Sequence, residues 1–285
     1  MKPSPFEYVK ARSMDDVFNT LERHGDGAKI LAGGQSLVPA MNLRMALPEV
    51  LIDINGLSDL GTIELDGDIL RIGALARHAE VGDSALVASH APLLAEAVPY
   101  IAHRGIRNRG TFGGSLATAD PASELPACAL ALAANINLAS RQEKRTVAAT
   151  DFFKDIYETA IMENELLVSV EIPVKREGER FGFLEFMRRR GDYATAGLAA
   201  YASFDGDRVE SMRLAFFGIG ATAVLAPKTA EAFIGRTIDQ ATIDNAVPKL
   251  NDELEILSDV HTSADVKRHL TSVLMTRVLS GMVQI

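Results

Sequence analysis

Lys29-Ile30-Leu31-Ala32-Gly33-Gly34-Gln35-Ser36 carries a short apolar strand straight into a glycine turn. Thr111-Phe112-Gly113-Gly114-Ser115 repeats the pattern far downstream, again with a Gly-Gly step beside a small hydroxyl residue. Glycine reaches backbone angles closed to other residues and lets the main chain come close to a ligand. Successive N–H groups in such turns can form a concave anion site. One such turn reads as an ordinary strand-to-helix connection; two point to distant segments converging on one extended, anionic ligand. The chain has no G-x-G-x-x-G and no G-x-x-x-x-G-K-[ST], which disfavours a Rossmann dinucleotide site and a P-loop. Residues 31 to 37 contain no Lys or Arg. A phosphate there would rest on backbone amides and on the Gln35 and Ser36 side chains, an arrangement suited to a pyrophosphate.

The 285 residues are enough for a substantial core and two domains. At 47% hydrophobic and 24% charged, the composition is that of a soluble globular protein. No apolar run reaches the roughly 18 residues of a membrane span, and the N-terminus lacks the apolar stretch of a signal peptide, so a cytoplasmic location is expected. A net charge of −9 disfavours nonspecific nucleic-acid binding, though a local basic stretch from Lys175 to Arg190 stays open. The single cysteine, Cys128, excludes an intrachain disulfide and a four-Cys cluster built by this chain alone. Its apolar surroundings read as a buried core position, with a catalytic thiol as the minority reading. The six histidines are scattered without metal-ligand spacing.

Along the chain, Ser13 to Arg23 reads as a helix with Ser13 as N-cap. Lys29–Ala32, Val50–Ile54 and Ile69–Ile72 read as strands. Pro92 to Ala102 reads as helical. Asp120-Pro121 is a helix-start signal for a helix to about Ala134, and Leu166–Ile172 is a β-rich run. The charged stretch Lys175 to Arg180 marks a domain boundary. Beyond it lie three strands, Phe181–Met187, Ala196–Phe204 and Arg208–Phe217, the last two joined by the turn Asp205-Gly206-Asp207. Helices are expected at Thr229–Ile234, Ile238–Leu250 and Ser263–Met282. The reading is an α+β tail behind an opening of alternating elements.

Ile30 to Pro39 resembles the first flavin loop of the FAD-binding medium subunit of molybdenum hydroxylases, the family of carbon monoxide dehydrogenase, xanthine dehydrogenase and bacterial N-heterocycle hydroxylases. Ile106 to Ala117 resembles the second loop, followed by the similar Ala119-Asp120-Pro121-Ala122-Ser123-Glu124-Leu125-Pro126. Arg190-Gly191-Asp192-Tyr193-Ala194 is a third match, and the three span almost the whole chain in order. The resemblance implies an FAD-binding domain of the vanillyl-alcohol-oxidase type over residues 1–176, in two α/β subdomains (about 1–56 and 57–176). It implies a C-terminal domain of antiparallel sheet plus helices over 177–285. It also implies roles. Leu31, Ala32, Gly33, Gly34, Gln35, Ser36 and Leu37 with Thr111, Gly113, Gly114, Ser115 and Ala117 would wrap the FAD pyrophosphate. Ile101 and Ala102 would lie near the flavin or its ribityl chain, and Leu167 would pack near the isoalloxazine. Asp120 and Glu124 would accept ribose or ribityl hydroxyls, Asp120 reading equally as a helix cap. Tyr193 would approach the ring where the acceptor docks, with core packing as its other reading. Some relatives have His at the position of Gln35 and Asn or Asp at that of Ser115; both changes keep hydrogen-bonding capacity. Some also carry a Lys just before the Gly-Asp-Tyr segment. Arg188 to Arg190 reads as a solvated face, an acceptor- or phosphate-facing patch, or a docking surface.

The implied function is that of an electron-transfer subunit. A large partner with a molybdenum-molybdopterin cofactor would oxidise the substrate. A small partner with two [2Fe–2S] clusters would pass electrons to FAD here, in a dimer of heterotrimers, and FAD would pass them to an external acceptor. The cysteine count fits, since this chain cannot hold the clusters. The flavin carries the redox chemistry, so no catalytic acid–base pair is required and none stands out. A self-contained flavin oxidase and a scaffold that has lost its flavin are the alternatives. The short tail argues against the first and the intact glycine loops against the second.

Overall fold

The computed structural model describes residues 2–283, with three sheets and one small hairpin. β1 (Glu7–Lys10), β2 (Ala28–Leu31) and β3 (Val50–Asp53) form an all-parallel sheet in the order β1-β3-β2. Helix Met14–His24 connects β1 to β2. The Ser13 hydroxyl accepts from the Asp16 N–H while the Asp16 carboxylate accepts from the Ser13 N–H, a reciprocal cap that fixes where the helix starts. Its Val17, Phe18 and Leu21 pack with Ile52 and Ile54 in a core of their own.

The second sheet holds β4 (Ile63–Asp66), β5 (Ile69–Gly73), β6 (Asn135–Ala139), β7 (Lys144–Ala148) and, after a hairpin of β8 (Phe153–Asp155) and β9 (Glu158–Thr159), β10 (Leu166–Pro173). Its order is β4-β5-β10-β6-β7 and every pairing is antiparallel. Helices Pro92–Ala97, Phe112–Thr118 and Glu124–Ala131 belong to its core, with Leu93, Leu94, Phe112, Leu116 and Leu125 fully buried.

After Pro173 the chain enters an antiparallel sheet of β11 (Glu179–Met187), β12 (Ala194–Asp205), β13 (Arg208–Phe217) and β14 (Val224–Leu225), in that spatial order. β12 is buried almost throughout, as expected of a strand covered on both faces. Helices Gln240–Glu253 and Ala264–Val283 share one core with it. On the other side Phe183, Ala199, Ala215 and Phe217 join the core of the second sheet, and helix Glu124–Ala131 packs between β12 and β13 on one side and helices Pro92–Ala97 and Phe112–Thr118 on another.

Several local expectations are corrected. The helix expected from Asp120 begins only at Glu124, with Ser123 at the cap position. Asp120 instead closes a turn, its carboxylate accepting from the Ala122 N–H at 2.9 Å. The Pro92–Ala102 helix stops at Ala97 and tightens into a short 3-10 turn over Val98–Tyr100, where Pro99 removes an N–H donor. β1, β4, β6, β7, β14 and the β8–β9 hairpin are strands that the sequence reading passed over.

Candidate cofactor-binding cleft

β2 ends at Leu31 and the chain turns at once through residues 32–36 into the short helix Leu37–Asn42. The first glycine loop therefore sits at the carboxyl end of a parallel sheet, where open sheets of this kind bind ligands. Gly34 has φ +69°, the left-handed region that favours glycine. Gly33 lies against the other motif. A Cβ built on it would fall inside the radius of the Arg109 carbonyl oxygen and 2.8 Å from the Gly110 Cα.

The second motif is not a loop. Thr111 is an N-cap whose hydroxyl accepts from the Gly114 N–H at 3.1 Å, and Phe112-Gly113-Gly114-Ser115 is the first turn of a helix. The two motifs also differ in what they offer. The N–H groups of Phe112 and Gly113 donate to the carbonyls of Ala76 and Ala74 at 2.9 Å each, and Ser115 N–H donates to Thr111 O. Among the described residues, none accepts from the N–H groups of Gly33, Gly34, Gln35 and Ser36. The first motif thus presents unpaired amides, while the second contributes side chains and a close-packed wall.

A polar tie holds the motifs together. The Asn55 amide donates to Ala32 O at 2.8 Å and its oxygen accepts from Arg77 at 2.6 Å. Arg77 in turn donates to Arg109 O. Nothing local in the sequence marks Asn55 or Arg77 for this role, because the tie joins residues far apart in sequence.

Between the motifs lies a cleft of about 320 Å³. It is lined by residues 32 to 37 on one side and by Thr111, Gly113, Gly114, Ser115, Ala117 and Thr118 on the other, with Leu166 and Leu167 of β10 and Ile161 as an apolar wall. Glu165 braces that wall. Its carboxylate is paired with Arg145 at 2.6 and 2.7 Å and accepts from Met162 N–H, and the Arg145 hydrogen bond keeps it below the usual carboxylate range.

Among the lining residues that sequence reading missed are the titratable groups Lys29, His78 and Glu165. His78 is 5% exposed and its Nε2 lies 2.9 Å from Thr111 O and 3.1 Å from Ser115 Oγ. Burial holds it down at about pH 4, so it is neutral at neutral pH. A carbonyl oxygen only accepts, so Nε2 carries the proton. Ser115 Oγ can then only accept from the ring, and its own proton is left to point into the cleft. The His78 Nδ1 is buried without a partner. In sequence His78 looked like any of six scattered histidines; only the return of β5 beside Thr111 brings it to the site.

Six expected positions lie off the cleft lining. Leu31 packs beneath Gly34, its Cδ1 3.2 Å from where a Cβ there would be. Ile101 and Ala102 offer their carbonyls to Arg107 at 2.8 and 3.0 Å, and Ala102 O lies close to Gly191. Asp120 and Glu124 follow directly on the lining residues Ala117 and Thr118, Asp120 accepting from the Tyr157 hydroxyl at 3.2 Å. Tyr193 is 72% exposed, so it is not a core residue. Partial desolvation of its hydroxyl raises its pKa, and the charges of Asp120 and Glu124 add to the rise. Cys128 is fully buried, and its thiol is pushed well above the usual range by desolvation.

Two sequence families divide the chain. Residues 4–175 match the FAD binding domain in molybdopterin dehydrogenase, and residues 182–282 match the CO dehydrogenase flavoprotein C-terminal domain. The cleft fits that cofactor: its free amides and glycine cradle suit a pyrophosphate, and the β10 wall suits an apolar ring system. The protein is thus an FAD-binding flavoprotein component of an oxidoreductase. Among its relatives, the 6-hydroxypseudooxynicotine dehydrogenase complex subunit alpha of Paenarthrobacter nicotinovorans is 38% identical over 98% of this chain and 95% of that one. The carbon monoxide dehydrogenase medium chain of Hydrogenophaga pseudoflava is 34% identical over 99% and 98%. In solved structures, carbon monoxide dehydrogenase from H. pseudoflava superposes with a TM-score of 0.96 at 35% identity, covering 99% of this chain and 98% of that one. Quinoline 2-oxidoreductase from Pseudomonas putida 86 gives 0.93 at 36%, with the same coverage. The chain belongs to the family of FAD-binding medium subunits of molybdenum hydroxylases.

Proposed function

We propose that this chain is the electron-transfer station of a molybdenum hydroxylase complex, taking electrons from [2Fe–2S] clusters on a small partner and passing them to an external acceptor. A large partner with the molybdenum cofactor would oxidise the substrate, and the assembly would be a cytoplasmic dimer of heterotrimers. The domains would divide at about residues 56 and 176. The observation that carries the reading is the row of unpaired amides at Gly33–Ser36 facing the Ser115 hydroxyl across a cleft with an apolar wall.

Bound FAD supplies a centre that accepts electrons singly and releases them in pairs. The chain's own residues bind and orient it. The Gly33–Ser36 amides hold the pyrophosphate charge without a basic clamp. Ser115 donates its proton to the same group, oriented by neutral His78. Leu166 and Leu167 exclude water along one side of the ring. Beyond Thr118 the Asp120 carboxylate would accept a hydrogen bond from a cofactor hydroxyl, Glu124 lies buried behind it, and exposed Tyr193 stands where an acceptor approaches.

The test is to purify the chain alone, add FAD and record the visible spectrum. The expected result is a bound-flavin band near ~450 nm that small organic substrates do not bleach. No bound flavin would overturn the reading. Direct reduction by a small organic substrate, without partners, would favour a self-contained oxidase.

A further inference from the structure

Glu185 on β11 is 4% exposed, and neither of its carboxyl oxygens has a hydrogen-bond partner. Glu124, the first residue of helix Glu124–Ala131, is 8% exposed and lies on the same side of the third sheet: Glu185 pairs with Gly197, Gly197 pairs with Phe217, and the next residue, Gly218, donates its N–H to Pro121 O just ahead of Glu124. Two buried carboxyls without a cation are costly when ionised. The arginines and lysine on β11, β13 and helix Ala264–Val283 are engaged elsewhere, Arg180 with Met282 O and the Phe204 ring and Arg208 with Gly235 O. Arg213 of β13 donates to Ala131 O and lies over Tyr201. Lys267 holds Gly218 O and Asp259, and Arg277 lies over Phe186 on the opposite face of β11. Arg268 pairs with Asp265, and His269 is exposed. The remaining neighbours, Glu96 of helix Pro92–Ala97, the Cys128 thiol, and Asp120 and Tyr193 at the mouth, add only groups that become negative. Burial pushes Glu185 up to about 8, with the Glu124 charge adding to it, and burial pushes Glu124 up to about 7.

We propose that Glu124 and Glu185 form a proton-holding pair at the seam between the two domains, which takes up a proton from solvent when the neighbouring flavin gains electrons. The proposal rests on the FAD reading above. Its balance is simple. Two electrons enter the flavin from an external reductant, and none passes through the carboxyls. The added negative charge in the cleft makes ionised Glu124 or Glu185 harder to sustain, so one carboxylate O–H bond forms with a proton drawn from water. Glu124 leads to the mouth through Asp120 and Tyr193, while Glu185 is the enclosed end of the pair. Glu185 acts through Glu124 and is a positioning residue. The consequence is a flavin whose potential falls with pH more steeply than flavin protonation alone requires.

Two measurements on the full chain test this. Infrared spectra of the FAD-free protein come first. A protonated-carboxyl C=O band is expected at neutral pH; it should fade as pH rises through about 8 and be clearly weaker in Glu185→Gln, where only the Glu124 part remains. Absence of such a band in the wild-type chain overturns the proposal whether or not FAD binds, so this arm fails separately from the flavin reading. The second is the midpoint potential of the FAD-loaded chain against pH. The wild type is expected to show extra proton uptake per flavin reduced over roughly pH 6 to 9, and Glu185→Gln should show less. Superposable slopes in the two proteins overturn it.

Discussion

Gly33→Ala adds one methyl group where the two walls of the flavin cleft touch. The new Cβ would fall short of ordinary contact with the Arg109 carbonyl oxygen by about 1 Å and would also lie 2.8 Å from Gly110 Cα and 3.0 Å from the Arg109 carbonyl carbon. All three are backbone atoms, so no side chain can swing aside. Arg109 O is also held by Arg77, which is held by Asn55. Relief must come from parting the two motifs, which moves the Gly33–Ser36 amides away from Ser115. Overpacking of this kind costs about 1–3 kcal/mol, which converts to roughly 5- to 150-fold weaker FAD binding if the strain falls on the bound geometry. The assay is a flavin fluorescence titration of the FAD-free chain, with Gly61→Ala as control, because nothing lies within 4 Å of a Cβ at Gly61. Gly33→Ala binding FAD within about twofold of wild type, with the control unchanged, would refute the claim that this contact sets the cleft.

Three further outcomes are expected. Glu185 has a raised folded-state pKa, so the unfolded chain binds fewer protons between 4.5 and about 8 and wild-type stability falls as pH rises through that window. Glu185→Gln removes the slope and is the more stable protein above pH 8, with a ceiling of about 5 kcal/mol from the size of the shift; denaturant melts at several pH values check the sign. His78 has a lowered folded-state pKa, so its contribution is present above 6.5 and is lost as pH falls toward about 4; acid should cost about 3 kcal/mol, and His78→Gln should flatten that loss in the same melts. Asn55→Ala removes the tie from Ala32 O to Arg77 and should weaken FAD binding by roughly 10- to 100-fold at an estimated cost of 1–3 kcal/mol, measured by the same titration; unchanged binding would show that packing alone aligns the walls.

The parts of this fold legible in the sequence are those with local causes. Ser13 and Asp16 announce their helix through a cap made within one turn, and Asp205-Gly206-Asp207 announces a hairpin whose strands are long and apolar. The glycine motifs were legible because close approach and unusual φ leave their mark on residue type. β1, β6 and β7 were not. Four- and five-residue strands with exposed or mixed faces take their identity from partners elsewhere in the chain. Asp120-Pro121 misled because a capping residue and a turn-closing residue use the same carboxylate for the same kind of N–H bond. Of the cleft, the loop at residues 32–36 was readable, whereas His78, Arg77 and Asn55 were not, since their roles exist only after β5 returns beside Thr111. The unpaired Glu185 carried no sequence signal either: a glutamate in an alternating strand looks solvent-facing until a helix from the other domain covers it.

The parallel sheet β1-β3-β2 has three strands of four residues each, and one short core supports it. Such a unit is marginal without its neighbours, yet it provides the whole amide-bearing wall of the cleft. With FAD in this cleft, its residence time is expected to follow how often this N-terminal unit opens as a block rather than diffusion out of an intact pocket. Amide hydrogen exchange in residues 7–53 should slow on flavin binding far more than exchange in β12, and that difference sets how long a purified chain stays yellow.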